Sequence, residues 1–518
     1  MATSMQKEKK AYYRQGVAYL FFACITFYFS KDHAYLASLD GPAHLYNSLL
    51  LKEVLSGNTY ITEFHEWNSF LTPNLFSNVY LAGLLAIFPL LSAVKIFYVS
   101  LLFLLLAGPY LFFRSHQRAW PFFLSLAFTL LFNAFLLNLG FYNFSFSVAF
   151  LFSALYALQR YQSTFKLRYL FLLFTTSALM YYANGFTFMV FAAYWFLLVL
   201  TELLPVIGKR EERAALFRTK ALPLLMLLPF VWMFLNFSAK VQLENTWQTG
   251  NFTDKWNNLK DFTSFITYIK ETEVSTAGFI LTLMTLVFAL CVILRFLVKP
   301  KGLVKHDIFL LFALIFAGLY FFVPDGFSVG MMSARLQYFV YVFALIWILL
   351  QPFKGFTHLL ALVMFYYSVS HFRQFHQEIR FNLNQNAAKV AELSKRIMAG
   401  KTIASFNYSE NWLEAHYADY LGIHSGAVVL ENYEASVGWF PLVWKQGVTN
   451  YHIGTQSSGL AVSINPNAAQ TKAADYVFVY GNLLKFKEDS LVHATVNKHY
   501  FEIPVPEHSF FKLYRLRY

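Results

Sequence analysis

Charge is scarce in this chain of 518 residues: Asp, Glu, Lys and Arg together make up 13%, where a soluble domain carries about 25%. Most of the surface must therefore face lipid. Cysteine is nearly absent. Cys24 and Cys291 both sit inside apolar runs, which leaves no disulfide framework and no thiolate metal site. No small-residue cleavage site follows the first apolar run, so a cleaved signal peptide is not expected. Lys7, Lys9, Lys10 and Arg14 precede that run and mark it as a retained first transmembrane helix. Nucleic acid is excluded as a partner despite the net charge of +13, because the basic residues fall in short clusters between apolar stretches rather than along one polar face.

What the chain has in abundance is apolar and aromatic surface. Hydrophobic residues make up 57%, with 60 Phe and 33 Tyr, and the mean hydropathy is +0.45. The expected fold class is an α-helical polytopic membrane protein with a C-terminal extracytoplasmic α/β domain.

Two rules thread it: a helix needs about 20 mostly apolar residues to span the hydrocarbon, and short basic loops stay cytoplasmic. The basic loops are Arg114 to Arg118, Arg160 to Arg168, Lys209 to Lys220, Lys299 to His306 and the turn at Lys354. Between and around them lie apolar runs at Tyr13 to Ser30, Val94 to Phe113, Trp120 to Leu137, Asn143 to Leu158, Tyr169 to Ala183, Phe186 to Leu204, Ala221 to Phe237, Ala277 to Leu297, Asp307 to Val323, Leu336 to Leu350 and Phe356 to Ser370. Those runs predict 11 crossings. Counting Leu75 to Leu91 as another would invert every later basic loop, so that run is expected to be interfacial or re-entrant.

An odd count with the N-terminus inside puts everything after Ser370 outside; the membrane is expected to be the plasma (inner) membrane, with the endoplasmic reticulum as the alternative. Three other segments join it: Lys31 to Ser92, Ser238 to Thr276 and Pro324 to Arg335. The domain boundaries drawn from composition are 1–370 for the transmembrane module with its first outer loop at 31–92, 371–398 for a linker helix, and 399–518 for the soluble domain. In the last, strands are expected at Lys401 to Phe406, Ala427 to Leu430, Tyr476 to Tyr480 and Phe511 to Leu516, with a helix near Glu410 to Leu421.

Chemistry-bearing residues concentrate in the outer loops. Asp40 and His44 stand four apart in Ser38-Leu39-Asp40-Gly41-Pro42-Ala43-His44, so a helix starting at Gly41-Pro42 brings them together. A carboxylate there suits a general base, since partial desolvation raises its proton affinity. The competing reading makes Asp40 the helix N-cap. Further along, Glu63, His65, Glu66 and Trp67 precede Pro73-Asn74. His65 with Glu66, or His44 with Asp40, is a possible divalent-cation pair, but neither has a third ligand in sequence, and the chain is read as having no cofactor and no metal ligand. Arg335 opens the tenth predicted crossing, where a guanidinium suits a phosphate or snorkels to the interface. Gly326 and Gly330 precede it and Tyr338 follows. In the C-terminal domain, Glu431-Asn432-Tyr433-Glu434 with Trp439, Phe440 and Trp444 suits carbohydrate, or is ordinary core.

The layout resembles the GT-C superfamily of polytopic glycosyltransferases: a cytoplasmic N-terminus, one crossing, a large outer loop with an Asp, interfacial helices, more crossings and an outer C-terminal domain. Asp40 stands where that family places its catalytic base. Pro73-Asn74 is similar to the family's proline-led segment, with Thr72 in place of its usual Lys or His. Arg335-Leu336-Gln337-Tyr338 looks like the family's Arg-Tyr helix start, with two residues inserted. The resemblance implies a polyprenyl-phosphate-linked sugar as donor and a glycan, lipid or protein acceptor. Asp40 would deprotonate the acceptor and transfer would proceed with inversion. His44, His65, Glu66, Arg335 and Tyr338 would bind substrate, Arg335 at the lipid phosphate. Two other classes remain: a lipid or glycolipid transporter, disfavoured because the crossings are almost free of charge and show no repeat, and a non-catalytic membrane scaffold with an outer binding domain.

Overall fold

The computed structural model describes residues 2–116, 118, 120–206, 208–240, 251–298, 304–325, 331–445, 448, 464–467, 472–505 and 510–517. The chain forms two compact units, Met1–Lys31 with Tyr98–Glu378, and Asp32–Phe97 with Ile379–Tyr518. The composition shift near Ser370 lies close to the second boundary. The outer loop, assigned by composition to the transmembrane module, instead groups with the C-terminal domain, because its helices supply apolar surface that the domain's sheet and turns bury.

The first unit is helical and apolar, and the chain is a helical membrane protein. Among the described residues, five helices are long and apolar enough to cross a bilayer: Leu90–Ser115, Gly185–Val206, Arg210–Ala239, Lys270–Val298 and Met332–Leu350. Other expected runs also form helices, at Tyr142–Thr164, Leu167–Ala183, Asp307–Phe322 and Lys354–His371. The run from Trp120 to Leu137 is not one straight helix. It breaks into Pro121–Leu126, a tighter 3₁₀ stretch at Ala127–Asn133, and Phe135–Asn138. The Asn138 amide donates to the carbonyls of Phe132 and Ala134, satisfying backbone groups that the break leaves open. Gly326, Gly330 and most of the Lys299 to His306 loop lie outside the described residues.

The Leu75 to Leu91 run becomes a 12-residue helix, Phe76–Ile87. At about 1.5 Å per residue it falls well short of the roughly 30 Å hydrocarbon core. Val79, Ile87 and Phe88 on and after it are exposed.

The second unit holds seven described strands: β1 (His65–Trp67), β2 (Thr402–Tyr408), β3 (Val428–Val429), β4 (Leu442–Trp444), β5 (Tyr476–Gly481), β6 (Tyr500–Ile503) and β7 (Phe511–Leu516). Five form one mixed sheet in the order β3-β2-β5-β7-β6. β2 runs parallel to both β3 and β5, while β7 is antiparallel to β5 and β6. The first five residues of β2 and of β5 are all buried: β5 as its unbroken apolar run requires of a strand covered on both faces, β2 with Thr402 and Ser405 hydrogen-bonded to Asp475 and Glu431. β1 and β4 form a separate antiparallel pair, with Glu66 opposite Val443. The helix expected near Glu410 to Leu421 is instead two 3₁₀ turns, Trp412–Glu414 and Tyr417–Leu421, followed by Gly422–Ser425. Asn407, Ser409 and Asn411 side chains bond the local backbone there, competing with a regular helix.

Candidate functional site

The site begins where the outer loop turns into the helix Gly41–Leu55. Leu36 adopts φ of 54°, and its carbonyl folds back so closely that a Cβ on Gly41 would lie 1.6 Å from the oxygen. Only glycine fits there. The Gly41 N–H is taken by the Ser38 hydroxyl at 3.1 Å, and Pro42 sits in the first turn. Asp40 occupies the N-cap position, yet its side chain makes no capping hydrogen bond. Its carboxyl is thus left to other partners.

Those partners come from the helix itself and from the C-terminal domain. His44 stands one turn along, and its Nδ1 lies 3.0 Å from Glu434 Oε1. The Asn78 amide donates to the other Glu434 oxygen at 3.3 Å. Asn47 and Asn432 exchange amide hydrogen bonds of 2.9 Å in both directions, so Gly41–Leu55 is pinned to the segment carrying Tyr433 and Glu434. Behind them, His416 Nδ1 lies 3.4 Å from Glu431 Oε1, the Ser405 hydroxyl donates to Glu431 Oε2, and the Tyr433 ring stacks on His416 at 4.3 Å. The Tyr433 hydroxyl faces Asp40. Asp40 and Tyr433 keep partial exposure, whereas His44, Asp419, Glu431 and Glu434 are buried.

Burial pushes the Asp40 carboxyl above its ordinary range, and the Glu434 charge adds to this; His44 and His416 pull the other way without overcoming it. Burial opposes a charge on His44, but Glu434 and then Asp40 outweigh it and raise the imidazole. Burial likewise opposes a charge on His416, but the hydrogen bond and charge of Glu431 carry it up to about 9. Asp419 is held well above the carboxylate range by burial and then by Glu431. The cluster therefore combines a carboxyl of raised basicity, on a residue that keeps partial exposure, with histidines held toward the charged form, an arrangement suited to accepting a proton at Asp40.

The other residues singled out from sequence lie elsewhere. His65 is buried in β1, its ring 4.4 Å from that of Trp444, and burial pushes it down to about 3, so it is neutral. Glu66, next on the strand, is exposed. Adjacent strand residues face opposite sides, which removes His65 with Glu66 as a joint cation site. In the helical unit, Arg335 is buried with its guanidinium 5.6 Å and 5.5 Å from the Phe141 and Phe144 ring centres. Tyr338, one turn on, packs against Phe144 and Phe265. A cavity of about 380 Å³ opens at the start of the same helix, lined by Ser333, Ala334 and Gln337 together with Lys270 and Asp325.

Sequence reasoning found Asp40 and His44 and named Glu431 to Glu434, but as a carbohydrate-suited or core segment rather than as partners of His44 and His416, and it missed Asn78, His416 and Asp419. No local pattern joins residues more than 330 positions apart; the one available signal was acidic and His residues inside an otherwise apolar stretch. No known protein family matches this sequence, and no curated protein matches it.

Proposed function

We propose that this chain is a GT-C-type membrane glycosyltransferase that transfers a sugar from a polyprenyl-phosphate donor to an extracytoplasmic acceptor, with Asp40 as the base. The observation that carries the reading is the Asp40 carboxyl: it stands at a helix N-cap, makes no capping bond, and is raised in basicity by burial beside His44, His416 and Tyr433. In the reaction Asp40 takes the acceptor hydroxyl proton and the acceptor oxygen bonds to the anomeric carbon. The bond from that carbon to phosphate oxygen breaks, its electron pair leaving with polyprenyl phosphate, and attack from the opposite face inverts the configuration. Arg335 takes the role of steadying the departing phosphate, worth a few kcal/mol in comparable sites. Tyr338, His44 and the exposed Glu66 serve substrate binding, His65 being buried against Trp444, and the transfer itself needs no metal. The topology belonging to this proposal has 11 crossings, a cytoplasmic N-terminus and the C-terminal domain outside the plasma membrane.

The test is turnover of defined donors by purified protein in lipid nanodiscs, using a panel of polyprenyl-phosphate hexoses and pentoses with extracted envelope glycans and lipids as acceptors. The proposal expects release of polyprenyl phosphate and a product of inverted anomeric configuration. Release with retained configuration would refute the single-displacement mechanism. No turnover of any donor, with movement of intact donor between leaflets or with neither event, would favour the transporter or the scaffold respectively.

A further inference from the structure

The helical unit contains a second cluster of titratable side chains that the proposed transfer does not use. Glu273 lies in the first turn of the helix Lys270–Val292, His371 is the last residue of Lys354–His371, and His376 closes the π-turn Phe372–His376 that follows. All three are completely buried. Residues five apart on an α-helix point roughly 140° away from each other. The wider π-turn brings His371 and His376 onto one face, and such single-turn π-bulges concentrate at functional sites.

Both imidazoles aim the same atom at the same oxygen. Nε2 of His371 lies 3.1 Å, and Nε2 of His376 3.7 Å, from Glu273 Oε2, and one donor atom from each residue falls within a 4.8 Å group. Ligands at zinc bond lengths stand roughly 3.3 to 3.5 Å apart around a tetrahedral ion, so the triangle is already near the size a cation needs. Backbone donors fix the orientation of the carboxylate. Its Oε1 accepts the N–H groups of Tyr268 and Ile269 at 2.8 Å each, and its Oε2 that of Thr267 at 3.0 Å. Ligating carboxylates are held by such outer bonds. One turn before His371, the Tyr367 hydroxyl is buried without a hydrogen-bond partner among the described residues and lies within electrostatic reach of Glu273.

We propose that Glu273, His371 and His376 bind a divalent cation of the zinc type. Two imidazoles and one carboxylate suit zinc rather than calcium or magnesium, which prefer all-oxygen shells. The fourth position would take a water to which Tyr367 is hydrogen-bonded. The site would tie the start of one membrane helix to the end of another and thereby fix the 263–269 turn.

Full-length protein in nanodiscs, stripped with chelator and equilibrated with zinc, should retain about one zinc per chain by elemental mass spectrometry. The His371→Gln/His376→Gln double variant should lose that zinc, and Tyr367→Phe should weaken zinc affinity by about tenfold while leaving the ligands in place. Cobalt(II) bound to wild-type protein should give a tetrahedral visible spectrum that zinc abolishes, a readout that stands even where the double variant fails to fold. The proposal is overturned if wild-type protein retains no zinc, if the double variant retains as much as wild type, or if cobalt gives only an octahedral spectrum.

Discussion

At the scale of single residues, chemistry and stability both depend on how buried groups settle their charges. His416 is carried up to about 9 from an ordinary 6.5 by Glu431, against the cost of burial. A raised imidazole stabilises the fold fully below pH 6.5 and loses that contribution as pH climbs through its folded value. Thermal stability should therefore fall between about pH 7 and 9.5, and His416→Gln should flatten that fall. A melting midpoint equally pH-dependent in both proteins would count against it. His416 also draws Asp40 downward, so in a transfer assay the same substitution should move the acidic limb of the pH profile to higher pH without abolishing turnover. Tyr46 offers a purely structural contrast. Its buried hydroxyl donates to the Ala427 carbonyl at 2.9 Å and accepts the Val429 N–H at 3.0 Å. Tyr46→Phe leaves both backbone groups unsatisfied and should cost about 1–3 kcal/mol in denaturant unfolding, with no change in any pH limb.

At the scale of elements, close backbone approaches decide what each helix tolerates. The Gly41–Leu55 helix meets Gly422 so tightly that a Cβ there would lie 2.2 Å from the Tyr46 ring. Gly422→Ala should therefore destabilise by about 1–3 kcal/mol, and Gly41→Ala by more, because the obstacle at Gly41 is the Leu36 carbonyl rather than a ring that can shift. A melting series that ranks them in the reverse order would contradict this. The β1 and β4 pair is short, and its neighbour Asn68 carries much of the loop's attachment by donating to the carbonyls of Gly438 and Phe440 at 2.8 and 2.9 Å. Asn68→Ala should raise hydrogen exchange across His65–Trp67 while leaving β5 protected.

These elements also show what the sequence could reveal. β7 was legible from end to end over Phe511–Leu516, and β5 because its continuous apolar run marks a buried strand; β2 was read two residues short, at Phe406, because Asn407 interrupts its apolar character. Trp120 to Leu137 was misjudged as one helix: its hydropathy is that of a span, and nothing local announces that Asn138 satisfies the broken backbone. Asp40 reads from sequence as either cap or base; it stands at the N-cap position without a capping bond, and the Ser38 hydroxyl holds the Gly41 N–H. His416, which acts on Asp40, and Asp419, which acts on His416, were invisible because only tertiary packing brings them into the cluster, and Glu273 with His371 and His376 because only a π-turn aligns two histidines five apart.

At the scale of the whole molecule, low charge and long apolar helices make a membrane protein, and the orientation proposed from its basic clusters can be checked directly. With Cys24 and Cys291 replaced, a single thiol at the exposed position Ser490 should react with a membrane-impermeant maleimide in intact cells. Labelling only after permeabilisation would invert the proposed topology and leave Asp40 on the wrong side for an extracytoplasmic acceptor. The central claim, that Asp40 is the base of a sugar transfer, is met most directly by comparing Asp40→Asn with the unaltered protein. Both would be matched for membrane abundance and melting temperature, and polyprenyl-phosphate-linked sugar consumption measured in membranes lacking the native copy. Consumption should fall by at least about a hundredfold while the variant stays folded; equal consumption by both proteins would reduce Asp40 to the first residue of a helix.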